Sequence, residues 1–193
     1  MAGLTRNPWV RVVLATAFIE GALFYGALAF AAYHAHRQLG VGVAASGTLI
    51  AAFAGGGLLY AGVAGRLVPW LGERGLALAG GSFLGMGYLG LAFAPAAALA
   101  VPCLAAVGMG LYMLHNTLQL HATQMAPDSR GAAVSLFAFC LFGGQSAGVW
   151  LASIAVDAAG TRPVFIVAAI GLPLLALDFR RRLAGHRLTL PNG

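Results

Sequence analysis

The sequence predicts an all-α membrane protein: six transmembrane helices in a 3+3 inverted repeat, with both termini cytoplasmic. Three observations carry that expectation. Six long apolar stretches fill the chain, nearly all the arginines fall on one side of them, and several glycines and an arginine recur with a period of about 88 residues.

Of the 193 residues, 60% are hydrophobic and 8% charged, and the mean hydropathy is +0.86. A soluble domain of this size carries roughly a quarter charged residues. Here the lipid bilayer is the expected partner of most of the surface. The net charge of +6 comes from arginine against five acids, with no lysine. Those arginines are dispersed between apolar runs, so they are expected to set topology beside anionic lipid and not to bind nucleic acid. Cys103 and Cys140 both lie inside apolar runs and read as small buried residues, neither a disulfide nor a metal pair. No metal or cofactor is expected.

The apolar runs place helices over 8–33, 44–65, 76–94, 98–123, 132–154 and 163–178, within a single domain 1–193 that ends in a basic cytoplasmic tail, 179–193. Each is long enough to cross a hydrocarbon layer of ~30 Å, the last only just. Backbone polar groups in lipid must be satisfied within the segment, so long apolar runs mean helices. Turn chemistry separates them: Gly40-Val41-Gly42, Pro69 to Gly72, Pro95, Pro127-Asp128-Ser129 and Gly160 to Pro163. Arg6 and Arg11 before an apolar run, with Ala29-Phe30-Ala31 after it, imitate a signal peptide. The run from 12 to 32 is too long for one and suits a spanning helix.

Orientation follows from arginine. With a cytoplasmic N-terminus, Arg6, Arg11, Arg66, Arg74, Arg130, Arg180, Arg181, Arg182 and Arg187 lie inside, and only Arg37 and Arg162 outside.

In the repeat, Gly55-Gly56, Gly72 and Arg74 align with Gly143-Gly144, Gly160 and Arg162. One register step away, Gly21 and Tyr25 align with Gly108 and Tyr112. Three helices reverse the side of entry, so the second unit is inverted relative to the first. Gly81/Gly85, Gly144/Gly148 and Gly55-Gly56-Gly57 put small residues on helix faces, where they permit close packing in lipid.

Charge inside the hydrocarbon costs about 3 kcal/mol or more, so intramembrane polar groups are the candidate functional residues. Glu20 and His115 each sit nine residues from a cytoplasmic helix end, hence at a similar depth of roughly 13 Å. Glu20 reads as a proton carrier or cation-binding group, or as half of a structural pair with a buried histidine or a backbone donor. Tyr112, His115, Asn116, Gln119 and Thr123 share a stripe on the fourth helix that suits a ligand or interhelical hydrogen bonds. Thr16, Glu20, Ala27, Ala31 and His34 share a face of the first helix that reads as a cavity wall. His34 and His36 are expected to be solvated at the outer mouth, His121 to be interfacial, Gln145 to be a lesser site candidate, and Asp178 to pair with a neighbouring arginine.

The block from Arg130 to Ser146, with the preceding Gly110 to Pro127, resembles the tenth and eleventh helices of the major facilitator superfamily, in its bacterial efflux-permease or arabinose-efflux branch. The likeness covers essentially the whole chain but only the C-terminal six helices of a twelve-helix transporter. The superfamily's loop signature, Gly-x-x-x-Asp-Arg-x-Gly-Arg-Arg, is kept at Gly65, Gly72 and Arg74. Pro69 replaces its Asp, Trp70 its first Arg and Glu73 a later one.

The resemblance implies that the first and fourth helices line a central path, so that Glu20, Tyr25, Tyr112, His115, Asn116 and Gln119 face a small-molecule substrate, with Glu20 and His115 coupling protons. It implies proton-driven efflux of a small organic solute, such as a sugar or drug, across the cell inner membrane. It also implies that a homodimer or a separate six-helix half completes the cavity; a non-transporting truncated half is the alternative. An enzyme is not expected. An intramembrane serine protease needs a Gly-x-Ser-Gly setting, and Ser46-Gly47 follows Ala44-Ala45.

Overall fold

The structure is a computed structural model that describes residues 7–126 and 129–189, with side chains as far as His186. Arg6, Pro127, Asp128 and the Arg187 side chain lie outside the described residues. The described chain is helical throughout: α1 (Pro8–Leu28), α2 (Ala31–Leu39), α3 (Val43–Phe93), α4 (Ala97–Gln124), α5 (Arg130–Ala159) and α6 (Thr161–Thr189). Five stretches are long and apolar enough to cross a membrane, α1 with α2 counting as one and the 51-residue α3 as another.

Asn7 opens α1, its side chain accepting from the Trp9 N–H, and Pro8 follows where a missing donor costs nothing. The sequence reading stops this helix near residue 33. In the structure only Ala29 and Phe30 interrupt it, and the His34 N–H to Phe30 carbonyl bond carries the chain on into α2 as far as Leu39. Gly40, at φ 68°, caps α2.

The loop expected between the second and third helices is absent. α3 consists of two helical arms joined by a sharp turn at Gly72, whose φ 61° and ψ 175° only glycine adopts readily. Pro69 helps to weaken the helix at that point, because it lacks an N–H and crowds the carbonyl four residues earlier. The two arms fold back on each other around α4. Phe53 and Gly57 of the first arm meet Gly108 and Tyr112, whereas Gly80 and Gly87 of the second meet Gly110 and Cys103. The second arm therefore runs antiparallel to α4.

Gly160, at φ 78° and ψ −176°, makes the same one-residue turn between α5 and α6. An alanine at Gly72 or Gly160 should cost about 1–3 kcal/mol in either position, read as a lowered midpoint of thermal unfolding in detergent.

α5 reaches Ala159, beyond the expected residue 154, and α6 does not end at Asp178. It continues through residues expected to form a tail, because Phe179 and Leu183 recur at helical spacing and both bury against the bundle. Asp178 and Arg182 then face outward one turn apart, with Arg182 Nε donating to Asp178 Oδ2 at 2.6 Å.

Glycine sets the helix spacing. Gly21, Gly144 and Gly148 hold α1 against α5, and Gly81 and Gly85 hold α3 against α6. The core contains Phe24, Tyr88, Leu104, Phe165 and Leu172, all fully buried. Many large apolar side chains, including Leu58, Phe139, Trp150 and Leu174, stand exposed on the outside, where a bilayer serves as their solvent.

Candidate functional site

α1 and α4 bring Glu20 and His115 together. Glu20 Oε2 and His115 Nδ1 lie 2.9 Å apart, so one proton sits between them. The equal depth expected from sequence thus becomes a direct contact, although α1 and α4 touch over only a short length. Glu20 is 1% exposed and His115 23%. The other carboxyl oxygen, Glu20 Oε1, is buried and has no hydrogen-bond partner among the described residues. Leaving such an atom unsatisfied costs about 1–3 kcal/mol, and more if it carries charge.

The surroundings are aromatic and aliphatic. The Phe137 ring of α5 lies 5.7 Å from that of His115. Tyr25 sits between one and two turns beyond Glu20 on α1. The Tyr112 ring lies over Gly57, and a side chain at Gly57 would displace it. A groove of about 320 Å³ opens beside Tyr25, with Gln145 as its other polar residue and Ile50 and Val149 on its walls.

Of the expected site residues, Glu20 and His115 are in direct contact, while Tyr25 packs on Phe24 and Tyr112 on Gly57. Asn116 and Gln119 continue the α4 stripe but stand exposed on its open side, as does Tyr112 at 42%. Of the loop residues, Gly72 makes the sharp turn, while Gly65 and Arg74 lie on the exposed surface nearby.

The first-helix face read as a cavity wall is a packing face. Thr16, Ala27, Ala31 and His34 are all buried, and the Thr16 hydroxyl donates to its own helix at Val12. His34 is not solvated. Its Nδ1 lies 2.6 Å from Thr161 Oγ1, and its ring stands edge-on to Phe165 at 4.9 Å. The continuation of α1 into α2 turns this histidine inward, whereas His36 stays exposed. His121 is buried against Trp9 and Phe179, with Nε2 3.2 Å from Glu73 Oε2.

Sequence reasoning missed three of these contacts: the Tyr88 hydroxyl donating to the Phe24 carbonyl at 2.8 Å, Arg162 Nε donating to the Ala92 carbonyl at 3.0 Å, and the Glu73–His121 pair. Extending the repeat would have found the last. His34 and His121 are repeat mates one register step away, and Thr161 and Glu73 each follow a turn glycine. Removing the Tyr88 hydroxyl with Tyr88→Phe should cost about 1 kcal/mol in thermal unfolding, the worth of one neutral hydrogen bond.

No metal-binding group of three or more His, Cys, Asp or Glu occurs among the described residues. The curated proteins contain no match to this chain. The family model described as Major Facilitator Superfamily matches residues 2–149, which is most of the chain and takes in both members of the buried pair. With its long apolar helices the protein is a multi-pass membrane protein, and it belongs to the major facilitator superfamily, a family of membrane transporters.

Proposed function

We propose that this chain is a six-helix half of a secondary transporter that moves a small organic solute by alternating access, with the Glu20–His115 pair binding the coupling proton. The observation that carries the reading is the buried Glu20 oxygen left without a partner. Leaving that oxygen buried and unsatisfied is costly, so a proton or a ligand bound there would compensate it. Tyr112, Asn116 and Gln119 are polar, uncharged residues exposed on one stripe of α4, and Tyr25 lines a groove with Gln145, which suits a solute bound by hydrogen bonds and aromatic contact. Export of a sugar or drug across the inner membrane fits this chemistry. In the direction proposed, a proton at Glu20 favours one facing state and the solute the other.

The inverted 3+3 repeat and six spans, with the two α3 arms counted separately, are part of the same reading. The packing supports them. On α1 and α5, Phe18 meets Gly144 and Gly21 meets Leu141; on α4 and the first α3 arm, Ala105 meets Gly56 and Gly108 meets Phe53. Adding about 87 to each α1 residue and subtracting about 88 from each α5 residue converts the first set into the second. The turn glycines Gly72 and Gly160 correspond in the same way. The arginine distribution supports a cytoplasmic side for both termini in this reading.

The exposed polar stripe at Tyr112, Asn116 and Gln119 is unsuited to lipid, and in this reading a second six-helix half covers it. That half is a second copy in the same orientation, a separate partner, or a further six-helix segment of the same protein. Native mass spectrometry in nanodiscs distinguishes a homodimer from a monomer awaiting a partner.

Infrared spectroscopy of the reconstituted protein during a pH step tests the proton site. A protonated-carboxyl band should appear on acidification, vanish in Glu20→Gln and shift in His115→Gln. An unchanged band in Glu20→Gln would remove Glu20 as the proton carrier.

A further inference from the structure

The last turns of α6 lie beside the first turns of α1, and a groove of about 420 Å³ runs between them on the outer surface of the bundle. Its rim is charged: Arg11 from α1, and Asp178 and Arg182 from α6. Its floor is apolar: Val12, Ala15 and Ile19 from α1 and Leu175 from α6. Thr16 also lines it, but its hydroxyl is committed to the Val12 carbonyl.

The rim sits at a level marked by amphipathic aromatic packing. Trp9, two residues before Arg11, stacks flat on His186 with ring centroids 4.2 Å apart and meets His121 edge-on at 5.3 Å. Tryptophan with polar ring partners is characteristic of the membrane–water interface. From Arg11 to Ile19 the groove floor then extends about 12 Å along the helix toward the hydrocarbon. A charged head above an apolar channel of that length has the shape of a lipid and not of a soluble ion.

We propose that this groove is a binding site for an anionic phospholipid. Its phosphate lies between the Arg11 and Arg182 guanidiniums, and an acyl chain runs along Val12, Ala15, Ile19 and Leu175. Two guanidiniums against one carboxylate leave the rim positive, and arginine presents a planar fork of donors that matches phosphate oxygens. Asp178 takes the Nε of Arg182 and so fixes the orientation of that side chain, leaving its other N–H groups to the phosphate. The carboxylate also repels the anion, so the site is tuned below its maximal affinity. The site depends on α6 continuing past Asp178, which puts Arg182 on an ordered helix opposite Arg11.

The test is lipid retention by the full-length protein in native mass spectrometry, with phosphatidylglycerol and phosphatidylcholine of matched acyl chains. The native protein should retain phosphatidylglycerol about thirtyfold better, the expected worth of two interfacial arginines. Arg11→Gln with Arg182→Gln should bring the two lipids to parity, and Asp178→Asn should raise phosphatidylglycerol retention. Arg37→Gln, at the far end of the bundle, should change nothing. If the double variant does not fold, Arg11→Gln alone, which keeps the Arg182–Asp178 pair, should still lose about fivefold. Equal retention of the two lipids by the native protein would overturn the proposal. So would a preference that survives both Arg11 variants. Displacement of the lipid by millimolar inorganic phosphate would mark a free-anion site and overturn it as well.

Discussion

Glu20→Gln should lose proton-driven accumulation of solute by about tenfold or more, while the protein folds and inserts as before. The two side chains have the same shape, so the packing around Phe137 and the contact with His115 survive the change. What is lost is the titratable proton. The assay uses inverted vesicles with an imposed pH gradient and two probes, ethidium and radiolabelled arabinose. Whichever probe the native protein accumulates should no longer follow the gradient in the variant, although downhill exchange continues. Accumulation in Glu20→Gln with native rate and native pH dependence would make the Glu20–His115 pair purely structural. His115→Ala gives a different signature. It leaves both Glu20 oxygens unpartnered in a site where the acid is 1% exposed, so it should cost stability as well as coupling, about 3 kcal/mol or more.

The second large effect concerns glycines that are neighbours in sequence and opposites in consequence. A Cβ on Gly56 would collide with the Ala105 carbonyl, and one on Gly144 with the Phe18 carbonyl. Backbone cannot yield as a flexible side chain can, so the helices must separate. Gly56→Ala and Gly144→Ala should each cost about 2–3 kcal/mol. Adjacent Gly55 meets nothing within 4 Å, and Gly143 only the Phe18 ring at an ordinary 3.7 Å. Gly55→Ala and Gly143→Ala should therefore be neutral or slightly stabilising, since alanine favours helix. Thermal unfolding of all four variants in one detergent measures the contrast. The repeat makes a stricter demand: Gly56→Ala and Gly144→Ala must lose similar amounts. A neutral Gly144→Ala beside a damaging Gly56→Ala would count against equivalent packing in the two units.

The sequence alone determined that this is a helical membrane protein, because apolar run length and scarce charge answer directly to the bilayer as solvent. It also determined which residues are chemically conspicuous, since a lone acid such as Glu20 in an apolar run is visible without any neighbour. Depth along a helix follows from a fixed rise per residue, so the level shared by Glu20 and His115 was readable too. Rotation and partner choice were not. Whether a helix face lines a cavity or packs against a neighbour depends on the other helices, and the face carrying Ala27, Ala31 and His34 went inward for that reason.

Helix ends were equally out of reach where tertiary burial overrode local turn signals. Phe179 and Leu183 gain burial only because the rest of the bundle is present, and that burial carries α6 past a cluster of arginines that otherwise reads as a tail. At Gly72 a single residue with positive φ makes the turn for which the sequence predicts a whole loop. The unpartnered Glu20 oxygen was decided only by the assembled fold: an acid in a sequence shows that a carboxyl group is present, and only packing around it determines which of its oxygens has a partner.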